Sequence, residues 1–238
     1  MFTSGAPLRT GGDPDRRYCV FLAHMNGSNG GTTFTDTSPS SHTITAVGNA
    51  QTTTAQSIFN GSSGGFDGAA DWTATTDSLS DFAFGTGDFT VECYFRTSDA
   101  KPQVLVDFYQ TANTGCWQIY LDAPAAYGDD ALSWWSSNTL GVSIVAGVTD
   151  PRDGNWHHVA VSRVAGVTML FVDGTLEGSA ADTRNYTGGV PTMAIGAQVT
   201  TRNPTYDMNG NIAEVRIFKG LGRYSTSFQA PTAPFLDY

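Results

Sequence analysis

Residues 153–179 form the stretch that decides the fold, and they read DGNWHHVAVSRVAGVTMLFVDGTLEGS. Two valine-rich runs, 158–164 and 167–173, flank the pair Ala165-Gly166. Two apolar runs around a two-residue turn predict a β-hairpin. The pair Asp173-Gly174 offers a second hairpin turn directly afterwards. The stretch is therefore typical of an antiparallel sheet.

A second strand pattern lies upstream, at residues 89–96, which read FTVECYFR. Phe89 and every second residue after it are apolar, while Thr90, Glu92 and Arg96 belong to the alternate set. This period of two predicts a strand with an apolar face inward and a polar face outward. Further strand-like runs lie at 18–25, 43–47, 103–109, 116–121, 131–137, 140–146, 192–196 and 211–218.

More than ten short strands separated by turn residues predict a two-sheet antiparallel sandwich. No sustained helical periodicity, internal repeat or central linker interrupts the 238 residues, so we expect one domain. We interpret 1–17 as a flexible N-terminal arm and 18–221 as the sandwich. Residues 222–238 carry several aromatic residues and prolines, which predict an extended C-terminal strap along the sandwich edge.

The composition supports an all-β protein and excludes several partners. The chain has 27 Gly and 31 Thr, but only three Glu and two Lys, so helix-forming residues are scarce. A net charge of −10 argues against nucleic acid, whose phosphates need clusters of Lys and Arg. No apolar run is long enough to span a membrane. The N-terminal residues lack the apolar segment of a secretory signal peptide.

The three cysteines, Cys19, Cys93 and Cys116, lie in strand-like sequence. Their odd number does not fit a disulfide framework. We therefore expect buried free thiols in a protein made in a reducing cytoplasm.

Three segments together resemble a known family. They are GTGDFTVECYFRT (85–97), DGNWHHVAVSRVAGVTMLFVDGTLEGS (153–179) and NGNIAEVRIFKG (209–220). Their sequences, order and spacing resemble the laminin G-like branch of the concanavalin A-like lectin/glucanase jelly rolls. The resemblance covers residues 18–220 and implies an all-β, two-sheet antiparallel jelly-roll sandwich.

The two ends of the sandwich resemble a narrower group of proteins within this family. Residues 22–57 and 218–235 are similar to the corresponding parts of such domains in bacteriophage structural proteins. The resemblance implies a virion protein, made in the host cytoplasm, that serves as a fibre, spike or decoration protein of the head or tail. It also implies host-surface glycan as a partner, alongside other capsid or tail proteins. We expect a homo-oligomer because fibres and spikes are often trimers, although the sequence has no coiled-coil heptads.

The same fold houses glycoside hydrolases, which need paired carboxylates. In the related glucanases these stand as Glu-x-Asp-x-Glu on one strand. Neither Glu92 nor Glu214 has a second carboxylate two or four residues on, and Glu177 is the only other glutamate. No G-x-S-x-G nucleophile motif is present. His157 and His158 are adjacent on a strand, so they point to opposite faces and do not chelate one metal together. We therefore expect no enzymatic activity, with a hydrolase or lyase as the weakest alternative.

The resemblance leaves a calcium ion open, because laminin G-like domains often bind Ca²⁺ at a loop rim. Calcium takes six to eight oxygen ligands. The loop candidates are Asp36, Asp67, Asp122, Asp129, Asp130, Asp150, Asp153, Asp207 and Asn209. None forms a linear calcium motif, and each Asp has the alternative role of closing a turn through its own backbone.

A sugar ring is bound by an exposed aromatic side chain beside polar groups. In LSWWSS (132–137), inward-facing Leu132 and Trp134 would put Trp135 outward among serines. Tyr127 and Asp129 in the preceding loop and Tyr206 in the 200–209 loop complete the candidate ligand-binding set. The alternative is that Trp135 is buried under a loop or a neighbouring subunit of a purely structural virion module. Trp117 and Trp156 are expected in the core.

Overall fold

The computed structural model describes residues 13–110, 113, 115–121, 131–136, 142–200 and 202–237. The described residues form sixteen strands and three short 3₁₀ turns, the latter at Arg16–Tyr18, Leu79–Phe82 and Pro204–Tyr206. The strands are β1 (Cys19–Ala23), β2 (Thr33–Thr35), β3 (Thr43–Val47), β4 (Gln51–Thr53), β5 (Ser63–Asp67), β6 (Trp72–Thr75), β7 (Phe89–Arg96), β8 (Gln103–Phe108), β9 (Trp117–Leu121), β10 (Leu132–Ser136), β11 (Val142–Ala146), β12 (Trp156–Val164), β13 (Val167–Val172), β14 (Thr175–Ala181), β15 (Met193–Ile195) and β16 (Asn209–Lys219). Within these residues no helix is long and apolar enough to cross a membrane.

The strands form two antiparallel sheets of eight strands each, which confirms the all-β sandwich. Sheet 1 has the order β14-β13-β12-β7-β16-β5-β4, and β1 also pairs with β16. Sheet 2 has the order β11-β10-β9-β8-β15-β6-β3-β2. The long β16 pairs through its first half with β5 and through its second half with β1, so both lie on the same side of it.

The stretch at 153–179 folds into the two predicted hairpins. Val164 pairs with Val167 across Ala165-Gly166, and Val172 pairs with Thr175 across Asp173-Gly174. Ala165 has φ 49° and Asp173 has φ 49°, each followed by a glycine with positive φ. Positive φ at both central residues is the requirement of the tight hairpin turn whose twist matches the strands.

The core lies between the sheets and is rich in aromatic rings. Phe89 and its alternate neighbours on β7 face inward and are fully buried, as the alternation predicts. Trp117 and Trp134 stack at 5.0 Å between ring centroids, and both are fully buried. Trp156, in contrast, is only partly buried and packs against a smaller cluster with Tyr94 on the outer face of sheet 1. Its strand partner is Arg96 at the end of β7, and this position lies outside the core.

Four strands are absent from the sequence-based expectation: β2, β4, β5 and β6. Their sequences are TFT, QTT, SGGFD and WTAT. Short runs of Thr, Ser, Ala and Gly carry little apolar alternation, so their pairing depends on the neighbouring strands. This explains why the pattern along the chain does not reveal them.

The C-terminal strap (residues 222–238, described to 237) crosses the outer face of sheet 1 instead of following its edge. The Phe228 ring packs against Phe171 of β13 at 5.3 Å and His158 of β12 at 5.9 Å. Further along, Phe235 lies under the guanidinium of Arg216 of β16, 3.6 Å from its ring centroid. The strap therefore covers four neighbouring strands, β13, β12, β7 and β16.

This cover corrects the expectation that the alternate face of β7 is exposed. Thr90 and Glu92 do face away from the core, but both are fully buried. His158 is likewise on the outer face and fully buried, while His157 points to the rim and remains partly exposed. A sequence pattern predicts which face of the sheet a side chain takes, but it does not predict which segment of the chain covers that face.

Candidate functional site

Three aromatic rings meet on the outer face of sheet 2. Trp135 of β10 and Tyr206 both pack against Tyr120 of β9, at 5.9 Å and 5.2 Å between ring centroids. Tyr206 and Trp135 are partly buried, while Tyr120 is almost fully buried between them. We call these three residues the aromatic cluster.

Strand alternation places the two strand-borne rings. Leu132 and Trp134 point into the core, as predicted, so Trp135 points outward. On β9 the core residues are Trp117, Ile119 and Leu121, which leaves Tyr120 on the same outer face as Trp135. Tyr120 is not among the residues predicted from the sequence, although its position between inward-facing Ile119 and Leu121 indicates an outward-facing ring.

Tyr206 is brought to the cluster by the loop before β16. The 3₁₀ turn Pro204–Tyr206 begins after Asn203, whose side chain accepts a hydrogen bond from the Thr205 amide. An ion pair of 2.6 Å between Arg202 and the buried Asp207 holds the two ends of the turn together. Asp207 also accepts a hydrogen bond from the Ala70 amide. These contacts fix the turn against sheet 2.

A polar row continues from Trp135 across the sheet. Trp135 pairs with Gln118 of β9, which pairs in turn with Asp107 of β8. Asp107 Oδ2 accepts a hydrogen bond from the Val199 amide at 2.9 Å. Burial raises the pKa of Asp107 well above its usual value and therefore favours the neutral acid.

The polar row leaves two buried oxygens unsatisfied. Gln118 Oε1 and Asp107 Oδ1 have no hydrogen-bond partner among the described residues. Such groups are rare in folded proteins because each one costs about 1–3 kcal/mol. Both oxygens are buried, so they lie beneath the surface that carries Trp135 and are not open to a ligand there.

Of the four predicted ligand-binding residues, the structure brings Trp135 and Tyr206 together through Tyr120. Tyr127 and Asp129 lie outside the described residues, in the gap 122–130. Ser133, the expected neighbour of Trp135 on the outer face, is buried and pairs with Tyr120. Two of the three predicted aromatic residues therefore lie together among the described residues, on a further ring that the sequence did not reveal.

The calcium ion that the resemblance leaves open stays a prediction. In the described part of the chain, no group of three or more Asp, Glu, His or Cys side chains is arranged to hold a metal ion. Asp36 instead accepts hydrogen bonds from three amides, those of Leu22, Ser38 and His42. Asp153 closes a turn through the amide of Asn155. Asp122, Asp129 and Asp130 lie outside the described residues.

The glutamates and histidines are engaged in structural contacts. Glu92 binds Arg216 and His158 under the strap. Glu214 accepts hydrogen bonds from His24 and from the Phe235 amide, both at 2.9 Å. Glu177 accepts from the amides of Val148 and Thr149.

The comparisons with known proteins agree with this architecture. Residues 67–221 match the laminin G-type family model described as the concanavalin A-like lectin/glucanases superfamily. No curated protein is similar enough in sequence to count as a relative.

Several solved structures share the fold at low sequence identity. The binding domain of Paraclostridial Mosquitocidal Protein 1 superposes with a TM-score of 0.65 at 12% identity, covering 86% of this chain and 49% of that one. For the binding domain of botulinum neurotoxin serotype D/C VPI 5993 the TM-score is 0.63 at 15% identity, with coverage of 87% and 50%. The chain thus spans about half the length of these toxin domains.

A third structure matches over nearly its whole length. Domain 4 of AbnA, a GH43 extracellular arabinanase from Geobacillus stearothermophilus solved in complex with arabinotriose, has a TM-score of 0.61 at 16% identity, with coverage of 85% of this chain and 92% of that one. At these identities the likeness shows the fold alone. Because the family model covers more than half of the chain, the protein belongs to the concanavalin A-like lectin/glucanases superfamily.

Proposed function

We propose that this chain is a non-enzymatic glycan-binding module that contacts sugar through the aromatic cluster. The observation that carries the proposal is the packing of the partly exposed rings of Trp135 and Tyr206 on Tyr120. Aromatic side chains line many ligand sites. A sugar ring offers its C–H groups to the faces of such rings.

The solved structures that share the fold support a binding role. Domain 4 of AbnA was solved with arabinotriose, and it is matched over nearly its full length. The toxin neighbours are binding domains, and one of them is described as depending on two ganglioside molecules. Because this chain corresponds to about half of those domains, the arabinotriose complex is the more direct support for a sugar ligand.

The module is displayed on a bacteriophage particle, as a head or tail fibre, spike or decoration protein that aids attachment to host-surface glycan. The resemblance of residues 22–57 and 218–235 to phage structural proteins motivates this assignment. Mass spectrometry of purified particles of the encoding phage should find the chain at many copies. Absence of the chain from such particles would overturn the virion assignment while leaving glycan binding open.

A purely structural decoration role is the second candidate. It is favoured by apolar side chains on the surface, of which Val148 is 82% exposed and Leu236 61% exposed. Such residues can contact a neighbouring copy or another virion protein. In that case substitution of Val148 and Leu236 would reduce incorporation into particles.

A glycan array tests the binding role directly, with and without EDTA to remove calcium. Trp135→Ala should abolish the signal from neutral glycans, while Trp135→Phe should retain part of it. Trp72→Ala is the matched control, because Trp72 is also a partly buried Trp on the outer face of sheet 2, but on β6. In that control Arg202, which lies over the Trp72 ring, keeps its ion pair with Asp207. Equal binding by Trp135→Ala and the native chain would refute this site.

A further inference from the structure

A polar groove crosses the outer face of sheet 1 at the end that lies beyond the aromatic anchors of the strap. Strand register puts Gln51, Gly65, Asn211 and Arg96 in one row across β4, β5, β16 and β7. Two adjoining cavities of about 330 Å³ and 370 Å³ share Asn209 in their walls. Both volumes fall in the range of about 300–1,000 Å³ that holds small ligands.

Arg96 supplies the groove with an unpaired positive charge. Its guanidinium makes no hydrogen bond or ion pair with any residue in the described ranges. The acids on the neighbouring loops have other partners: Asp99 faces Lys101 and Asn209, and Asp153 faces His157 and Asn155. Arg96 therefore remains available to an anionic group that enters the groove.

The carboxamides of the groove present acceptors. Asn49 donates its amide hydrogens to Asp67, Asn209 to Asp99, and Asn211 to the Ser63 hydroxyl. The three Oδ1 atoms receive no hydrogen bond from the described part of the protein. A ligand that satisfies them must bring hydrogen-bond donors, and hydroxyl groups are neutral donors of the right kind.

Three carboxylates line the groove, Asp67, Asp71 and Asp99, and each accepts a hydrogen bond from within the protein. Asp67 accepts from Asn49 and from the Ala69 amide, and Asp71 accepts from the Asp67 amide. Gly65 and Gly210 contribute no side chain, so the floor is bare backbone. The groove is therefore suited to a ligand with one anionic group at Arg96 and several hydroxyls along the asparagines.

We propose that this groove binds a sugar that carries a carboxylate, such as a uronic or sialic acid. The carboxylate pairs with the Arg96 fork, a geometry suited to two parallel hydrogen bonds. Ring hydroxyls donate to the Oδ1 atoms of Asn49, Asn209 and Asn211. A neutral sugar would leave Arg96 unpaired, and a simple carboxylate would leave the acceptors unfilled.

The groove is a separate site from the aromatic cluster. It lies on the outer face of sheet 1, whereas Trp135 lies on the outer face of sheet 2. The inference adds a second subsite to the proposed glycan-binding role and does not depend on Trp135. Trp135→Ala should retain the binding of acidic sugars, so failure of one site is distinguishable from failure of the other.

Titration calorimetry on the full chain tests the groove with four probes: glucuronic acid, N-acetylneuraminic acid, glucose and acetate. At least one of the two acidic sugars should bind, and glucose and acetate should bind at least about tenfold more weakly. Arg96→Gln should weaken acidic-sugar binding about tenfold or more, and Arg96→Lys should weaken it less. Arg184→Gln is the matched control because it changes the same residue type far from the groove. Arg184 lies near the other end of β12, where its carbonyl accepts a hydrogen bond from Arg163. Binding should also weaken at high salt.

Because Arg96 has no described partner, Arg96→Gln should unfold at the same temperature as the native chain. Unchanged acidic-sugar binding in Arg96→Gln would overturn the proposal. Equal binding of glucose, or of acetate, would overturn it as well, because it would remove the need for one of the two recognition elements. Absence of binding by both acidic sugars would have the same meaning.

Discussion

Glu92 accepts two hydrogen bonds from Arg216, from Nε at 3.0 Å and from Nη2 at 2.8 Å, in the space between sheet 1 and the strap. Its other oxygen is bonded by His158 and by the hydroxyl of Tyr224, a strap residue. Burial acts to raise the pKa of Glu92, but Arg216 and His158 outweigh it and lower the pKa to about 2. The carboxylate is therefore charged and fixes the strap onto the sheet.

Replacing this carboxylate should destabilise the protein strongly. Glu92→Gln removes the charged acceptor of the two Arg216 hydrogen bonds and leaves Arg216 with the longer 3.7 Å contact to Asp13. We expect a loss of about 3–5 kcal/mol in the free energy of unfolding, because this charge is buried. Glu177→Gln is the control, since Glu177 only accepts two loop amides near the surface. Urea denaturation followed by circular dichroism measures both variants. Equal midpoints for the two would contradict a structural role for the Glu92 network.

The end of the strap should respond to pH through His24. Its ring bonds Glu214 and Asp237, both at 2.9 Å. Burial acts to lower the pKa of His24, but the hydrogen bonds to the two carboxylates raise it above the ordinary value of 6.5. A raised folded pKa means that the stabilisation is full below about 6.5 and is lost as pH rises through the folded value.

Hydrogen exchange at the Phe235 amide measures this effect, because that amide donates to Glu214. Its protection factor, corrected for intrinsic exchange, should fall as pH rises through the folded pKa of His24. In His24→Gln the protection should not vary over the same range. The same pH dependence in both proteins would show that another group controls the strap end.

Arg163 should not be replaceable by lysine, although it is a basic residue on a strand. Its guanidinium is fully buried between the rings of Phe89 and Tyr186, 5.0 Å and 4.9 Å from their centroids. It donates to the carbonyls of Gly85, Gly87 and Arg184. A lysine ammonium lacks the planar fork, so Arg163→Lys should cost about 2–4 kcal/mol. Arg184→Lys on the adjacent loop should change the unfolding free energy by less than about 0.5 kcal/mol.

The three thiols should not react with a thiol reagent in the folded protein. Cys19, Cys93 and Cys116 are buried and form no disulfide bond, as the sequence predicted. Burial raises the pKa of the Cys19 thiol to about 12 and raises that of Cys93 further. A thiol-reactive chromophore should therefore label none in the native chain and three after denaturation. Rapid native labelling would contradict the buried placement.

The sequence predicts those elements whose signals are local. The hairpin turns at Ala165-Gly166 and Asp173-Gly174 follow from two-residue turn chemistry, and the inward face of β7 follows from alternation. Strands such as β4 and β5 escape prediction because Thr and Gly become strand residues only through their neighbours. The burial of Glu92 escapes it for a related reason, since the cover comes from residues far along the chain.

The candidate site likewise combines residues that the sequence predicts with contacts that it does not predict. Trp135 could be picked out because an exposed Trp between serines is unusual, and Tyr206 because it stands in a loop. Their meeting at Tyr120 depends on the register of β9 with β10 and on the turn held by Arg202 and Asp207. Register and loop docking are long-range properties, so the sequence offered separate residues and the fold assembles them.

The most direct test is the affinity of the native chain and of Trp135→Ala for a neutral glycan selected on the array, measured by titration calorimetry. The account predicts a loss of at least about tenfold, the effect expected when a central aromatic contact is removed. Trp72→Ala should bind as the native chain does. Undiminished binding by Trp135→Ala, with an unchanged unfolding temperature, would contradict the claim that the aromatic cluster is the sugar-binding surface.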